Sequence, residues 1–320
     1  MSKLEYYKDL QEKSKKFKHF KIDTKEDFDE LYRKLKSENS EQIENSLIYR
    51  GSNNSAFKLY SSSQRHWIQK ELGNWKGGYH FYIQNLIDNA KAWQNNLLVK
   101  FYKSFGHNTA YEIAVLSFLQ HYASPSPLID WTYSLDNSLF FAFDKMEHPE
   151  SDQIGNYCSV YILNKTQSEL MNYIDVYQSG KYNFEELKAK HPDVDSKDLD
   201  KQYNEYSYSL IKDLPLVYIS DTENNGNPTM YTNTNFNIIN QEGLFIYNNS
   251  PTEPLENIFK GKENVQIGDT FHLDKITCID IHKNLAEHIK DLLISEGISN
   301  KFIYPQEEDL AWDSFTKYLK

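Results

Sequence analysis

Gln120-His121-Tyr122-Ala123-Ser124-Pro125-Ser126-Pro127-Leu128-Ile129-Asp130-Trp131-Thr132 is the stretch on which the fold turns. Before it, Tyr111, Ala114, Val115, Phe118 and Tyr122 recur at spacings that place them on one face of a helix. Pro125 and Pro127 then block further helix, since each lacks an amide donor and pushes its predecessor toward extended geometry. The helix is therefore expected to end near Tyr122. After it, Leu139-Phe140-Phe141-Ala142-Phe143 forms a second apolar run. His121, Asp130 and Trp131 thus fall on a tight connection between two buried elements, where a rigid frame can present polar groups to a ligand.

Composition narrows the classes. At 320 residues there is room for one large domain or two small ones, and 39% hydrophobic with 15% aromatic residues supplies a core. A net charge of -11 argues against broad electrostatic capture of nucleic acid or an anionic membrane and leaves room only for a local basic groove. Cys158 and Cys278 each sit inside an apolar, strand-like run and read as core thiols in a reducing compartment. The opening ten residues lack the apolar core of a signal peptide, and no run reaches about 18 apolar residues, so a cytoplasmic protein with no membrane partner is expected. The phosphate-binding loop, zinc-helix and nucleophile-elbow motifs do not occur, and the ten histidines do not gather at ligand spacing. No metal is expected.

Residues 1–45 read as a helical lead-in, with Asp23 or Thr24 capping a helix to about Ser37 whose apolar stripe is Phe28, Leu31, Tyr32 and Leu35. The remainder, 46–320, reads as one domain. Short strands are expected near 46–50, 57–61, 157–163, 230–233, 244–247 and 276–281, with helices before and between them, which makes a mixed α+β fold. Residues 164–227 are rich in Tyr, Asp, Lys and Asn and read as a polar, mainly helical insertion. Asn284 with Glu287 resembles a capping box for a helix through Ser295 that Gly297 stops. A terminal helix is expected from about Gln306.

Three polar spots interrupt this apolar framework. Tyr49-Arg50-Gly51 ends a short strand, and there Arg50 offers a fixed fork of donors to an anion or simply an edge arginine before a turn glycine. Ser61, Ser62 and Ser63 form a polar turn, cap the next helix or bind a ribose. Gln241-Glu242-Gly243 stands directly before the strand-like Leu244-Phe245-Ile246-Tyr247, where the glutamate is solvated or reactive and the glutamine is a ligand contact or a buried amide. His121 can bond the last helix carbonyls, and Trp131 can anchor the core.

Tyr49-Arg50-Gly51, Gln120-His121-Tyr122, Leu128-Ile129-Asp130-Trp131-Thr132, Leu139 to Ala142, Gln241-Glu242-Gly243-Leu244-Phe245 and Tyr304-Pro305 together resemble the FRG-domain family over roughly residues 46–320. The family commonly has an arginine where this chain has Pro127, so an anion contact made there must be found elsewhere, for example at Arg50 or Arg65. A second resemblance, to the Arg-Ser-Glu arrangement of ADP-ribosyltransferases, implies two small sheets flanking a cleft that binds NAD. It places Arg50 and Gly51 at the phosphates, Ser62 or Ser63 at the ribose, and Glu242 or Gln241 at the reaction centre. His121 and Tyr122 fall at the adenosine or nicotinamide end, Asp130 orients a neighbour, and Trp131 borders the ligand. A carboxylate there would gain as positive charge develops on the ribose. The resemblance thus implies an NAD-consuming transferase or glycohydrolase, a toxin or effector in anti-phage defence or a toxin–antitoxin setting, with a protein or nucleic-acid acceptor. The alternative is a non-catalytic module binding a protein or nucleotide signal, with 164–227 as the protein-partner surface.

Overall fold

In the computed structural model the described residues are 4–41, 46–104, 111–146, 153–165, 168, 170–190, 207–221, 236–258, 266–267, 271–272 and 276–306. Their strands are β1 (Lys18–Ile22), β2 (Leu47–Ser52), β3 (Leu128–Thr132), β4 (Tyr157–Asn164), β5 (Met171–Asn172), β6 (Leu216–Ile219), β7 (Gly243–Asn248), β8 (Gln266–Ile267), β9 (Phe271–His272) and β10 (Ile276–His282). Their helices are α1 (Leu10–Ser14), α2 (Lys25–Glu41), α3 (Ser62–Gln69), α4 (Gly78–Ser104), α5 (Glu112–His121), α6 (Leu135–Phe143), α7 (Tyr173–Lys190), α8 (Phe236–Asn240), α9 (Leu255–Ile258), α10 (Ala286–Ser295) and α11 (Asn300–Ile303).

The result is an α+β fold around one open sheet in the order β1-β10-β4-β2-β3-β7-β6-β5, with β8 and β9 pairing separately. Only the outer pairs β1/β10 and β5/β6 are parallel. The middle of the sheet is its weakest join. β2 matches β4 through six residue pairs and β3 matches β7 through five, but β2 meets β3 only at Tyr49 and Thr132.

Side chains alternate between the two faces. On one face lie two separate apolar cores. One packs Leu128, Phe245 and Tyr247 under α4 and α5, and the other packs Tyr49, Cys158 and Ile162 under α2, α6 and α10. On the opposite face a single core, including Ile48, Ile129, Tyr161, Ile246 and Cys278, runs across both halves. Gly51 permits the close packing of α6 on β2. A Cβ at this position would lie 2.0 Å from the Ser138 carbonyl oxygen and 2.5 Å from the Ala142 amide nitrogen.

The lead-in is part of the sheet rather than an appendage to it. β1 pairs with β10, and Lys13, with a fully buried side chain, donates to Asp280 Oδ1 (2.7 Å) and Ser159 Oγ (2.7 Å). His19 Nε2 meets the other Asp280 oxygen at 2.7 Å. Burial alone would raise the Asp280 carboxyl, but the charge of Lys13 and bonds from His19, Lys13 and Ser159 outweigh it and hold the group at about 2.

Expectations are met for the strands at 46–50, 157–163, 244–247 and 276–281, for Thr24 as the cap of α2, for the end of α5 at His121 and for Gly297 (φ 82°) just beyond α10. Several differ. The sheet is one, not two small sheets. Residues 57–61 form no strand, because Ser61 caps α3 in a box with Gln64. Asn284 does not cap α10. Instead the His282 side chain accepts from its amide and a short 3-10 turn, Lys283–Leu285, leads in. The stretch Leu128–Thr132 is a central strand rather than a connection. The insertion carries α7 as expected but also supplies β5 and β6 to the sheet edge. The expected strand at 230–233 and nearly all of the terminal helix lie outside the described residues. No helix among the described residues is long and apolar enough to cross a membrane.

Candidate functional site

A cleft of about 290 Å³ opens where β2 and β3 part, between the C-terminal end of α5 and the face of α6. Continuing the register beyond Tyr49↔Thr132 would set Arg50 opposite Trp131 and Gly51 opposite Asp130. Instead the strands separate, and the orphaned Asp130 carbonyl receives the Arg50 guanidinium at Nη1. The arginine donor thus takes the place of the missing ladder neighbour. Arg50, His121, Asp130, Trp131, Gln241 and Tyr304 line the cleft, with Gln120, Thr132 and Phe141 beside them.

Two charges face each other there. Arg50 Nη1 lies 4.0 Å from Asp130 Oδ2, with side chains 21% and 56% exposed. The bond to the Asp130 carbonyl is the one hydrogen bond the guanidinium makes among the described residues, and its Nε is buried without a partner there. Four of the fork's five N–H donors are thus uncommitted. Burial pulls the guanidinium below its ordinary value while Asp130 and Tyr161 pull it back up, and it stays charged. Gln120 Nε2 donates to Asp130 Oδ2 at 2.7 Å, while its own oxygen accepts from Ser62 Oγ at 3.4 Å. Gln120 therefore holds the carboxylate, with Ser62 beside it and nearer to the Ser126 carbonyl (3.2 Å).

The opposite wall is held by amides. Gln241 Nε2 donates to the Ile303 carbonyl (3.1 Å), Asn240 Nδ2 to the Phe302 carbonyl (2.8 Å), and the Gln241 carbonyl accepts from Thr132 Oγ1 (2.6 Å). These bonds seat α11 and Tyr304, whose ring packs on Phe140 and Phe141 and whose hydroxyl donates to Asp144.

Of the residues singled out from sequence, Arg50, Gly51, His121, Asp130, Trp131 and Gln241 meet in this cleft. The others do not line it. Ser62 accepts from the Ser126 amide and so holds the Pro-rich loop to α3, while Ser63 bonds the Tyr79 hydroxyl and ties α3 to α4. Tyr122 is exposed and its ring lies tilted against Phe118, centroids 4.7 Å apart. Glu242 has a left-handed backbone (φ 48°), gives its carbonyl to the Tyr133 amide and carries its carboxyl near Asp136 and Lys36. Partial burial and Asp136 push that carboxyl up. Within the cleft, Gly51 serves packing, Trp131 belongs mainly to the far-face core, and His121 packs edge-on against Phe245. Gln120 and Tyr304 stood in quoted motifs without a role, since only the fold reveals that they converge. A larger hollow of about 400 Å³ between α6 and α10 is lined largely by Phe140, Phe143, Met146, Leu293 and Ile294. Asp144, Lys145, Glu287 and Lys290 also border it, but its wall is mostly apolar. Among the described residues no three His, Cys, Asp or Glu side chains gather as metal ligands.

Residues 45–151, which supply β2, β3, α5 and α6, match the family model of the FRG domain. The chain carries an FRG domain. The match covers about a third of the chain and includes Arg50, Gln120, His121 and Asp130, whereas Gln241 and Tyr304 lie beyond the matched FRG segment. No curated protein and no solved structure matches the chain.

Proposed function

We propose that the FRG cleft is a recognition site for a ribose-phosphate ligand, with NAD or a related nucleotide as the first candidate. The carrying observation is the pairing, in one hollow, of a largely uncommitted guanidinium with a more than half-exposed carboxylate 4.0 Å away. Arg50 suits phosphate oxygens. Asp130, an acceptor held in place by Gln120, suits sugar hydroxyls. The volume sits at the lower edge of the range of about 300–1,000 Å³ for small-molecule sites.

Recognition is favoured over ADP-ribosyl transfer, because the carboxylate assigned to that reaction, Glu242, does not line the cleft and the two serines are engaged elsewhere. A transfer or NAD-cleaving reaction would instead have to use Asp130. An effector in defence against phage is the setting that the family resemblance implies.

Thermal unfolding with NAD, ADP-ribose and buffer alone tests the reading. A ligand at about 100 times its Kd adds about 2.7 kcal/mol of stability, so the melting temperature should rise by several degrees in the wild type and not in Arg50→Gln. No rise at millimolar ligand would sink the proposal. Nicotinamide released from NAD by the wild type and not by Asp130→Asn would restore the enzymatic reading.

A further inference from the structure

We infer that Asp130 sets the charge class of the ligand: it is a fixed counter-charge beside Arg50 that turns away compact inorganic anions and admits an anion that also brings hydroxyl donors. The inference rests on the ribose-phosphate reading only for the identity of the favoured ligand. Arg50 and Asp130 are the charged side chains among the described residues lining the cleft, with Arg65 behind them, close enough to interact with both. An anion seeking the uncommitted donors of Arg50 must settle close to Asp130 Oδ2, only 4.0 Å from Nη1. Like charges at such spacing repel strongly near a protein surface.

Asp130 cannot readily swing aside. Gln120 grips the same oxygen at 2.7 Å, and the Asp130 backbone is paired with Phe245 in the β3/β7 ladder. Pyrophosphate near neutral pH keeps a P–OH proton, but it brings a multiply charged anion against this carboxylate and no neutral hydroxyl. A sugar phosphate offers hydroxyls that hydrogen-bond to it while the phosphate meets Arg50. One carboxylate then repels the first class and binds the second.

Calorimetric titrations of pyrophosphate and of ADP-ribose into the full chain at fixed ionic strength, wild type beside Asp130→Asn, decide the matter. The asparagine keeps the shape and the bond from Gln120 while removing the charge. Expected is a gain of about tenfold in pyrophosphate affinity, the factor that about 1.4 kcal/mol makes, together with weaker ADP-ribose binding. A ratio of the two affinities unchanged within about twofold overturns the inference, even where ADP-ribose binds the wild type and the proposed function stands. Pyrophosphate binding neither protein also overturns it. If the wild type takes neither ligand and Asp130→Asn gains pyrophosphate, the charge filter stands and the ribose-phosphate reading falls.

Discussion

Adding a single methyl group at Gly51 should unseat a helix. An ideal Cβ there meets the Ser138 carbonyl oxygen at 2.0 Å, the Ala142 amide nitrogen at 2.5 Å and the Phe141 carbonyl carbon at 3.0 Å. All three are backbone atoms of α6, so no side chain can rotate away. Strand or helix must retreat by at least about 1 Å to reach the 3.0 Å below which real Cβ contacts essentially never fall. Overpacking a well-filled core costs about 1–3 kcal/mol. With backbone on both sides, about 3 kcal/mol or more is expected for Gly51→Ala, or a fall in Tm of roughly 6–12 °C at the 2–4 °C per kcal/mol of larger domains. Urea unfolding measures it, and an unchanged m-value would place the effect in the native state. Gly73→Ala, where nothing lies within 4 Å of the added carbon, is the control. Its change should stay within about 0.5 kcal/mol. A Gly51→Ala protein as stable as that control would refute the packing argument, and with it the account of why a glycine follows Arg50.

Acid should probe the buried network under α1. Asp280 is held at about 2 against an ordinary 3.8, so its contribution is complete above the ordinary value and is lost as pH falls from about 4 toward 2. Asp280→Asn should flatten the stability profile over that window and cost about 3–5 kcal/mol at pH 7, because Lys13 is left buried without its counter-charge; a neutral-pH stability equal to wild type would contradict this. Gln241→Ala removes the bond to the Ile303 carbonyl, worth about 1 kcal/mol. Hydrogen exchange should then quicken at residues 300–304 and leave β7 unchanged, and unaltered exchange at Tyr304 would count against its role as a clamp.

The chain announces much of this architecture. Periodicity marks α5, the prolines mark its end, and apolar runs mark β4, β7 and β10. Single residues hide the rest. Asp130 interrupts Leu128–Thr132 and makes a central strand look like a loop, because its side chain faces an open seam instead of a core. Lys18 and Lys21 disguise β1, an edge strand that can leave lysines in solvent. Leu216–Ile219 is apolar enough for a strand but lies within a polar segment. At the site, Arg50, Asp130 and Gln241 were legible as polar residues breaking apolar runs. Glu242 looked equivalent to Gln241, yet a left-handed backbone at this one residue turns its carboxyl away from the cleft, and no propensity reveals that. Ser62 looked like a ligand contact and instead holds the Ser126 backbone.

The single rung between β2 and β3 also governs compliance. Each half of the sheet is stiffened by several ladder pairs and its own helices, while the seam has Tyr49 and Thr132, the Arg50 crosslink, the side-chain amide bonds of Asn137, Asn240 and Gln241, and the shared core behind it. Such a molecule bends like a book about its spine, with the far-face core as binding and the cleft as the gap between pages. Whatever wedges at the gap alters the angle between the covers, so occupancy would register at β1 and β5, the two outer edges, without any lid having to close.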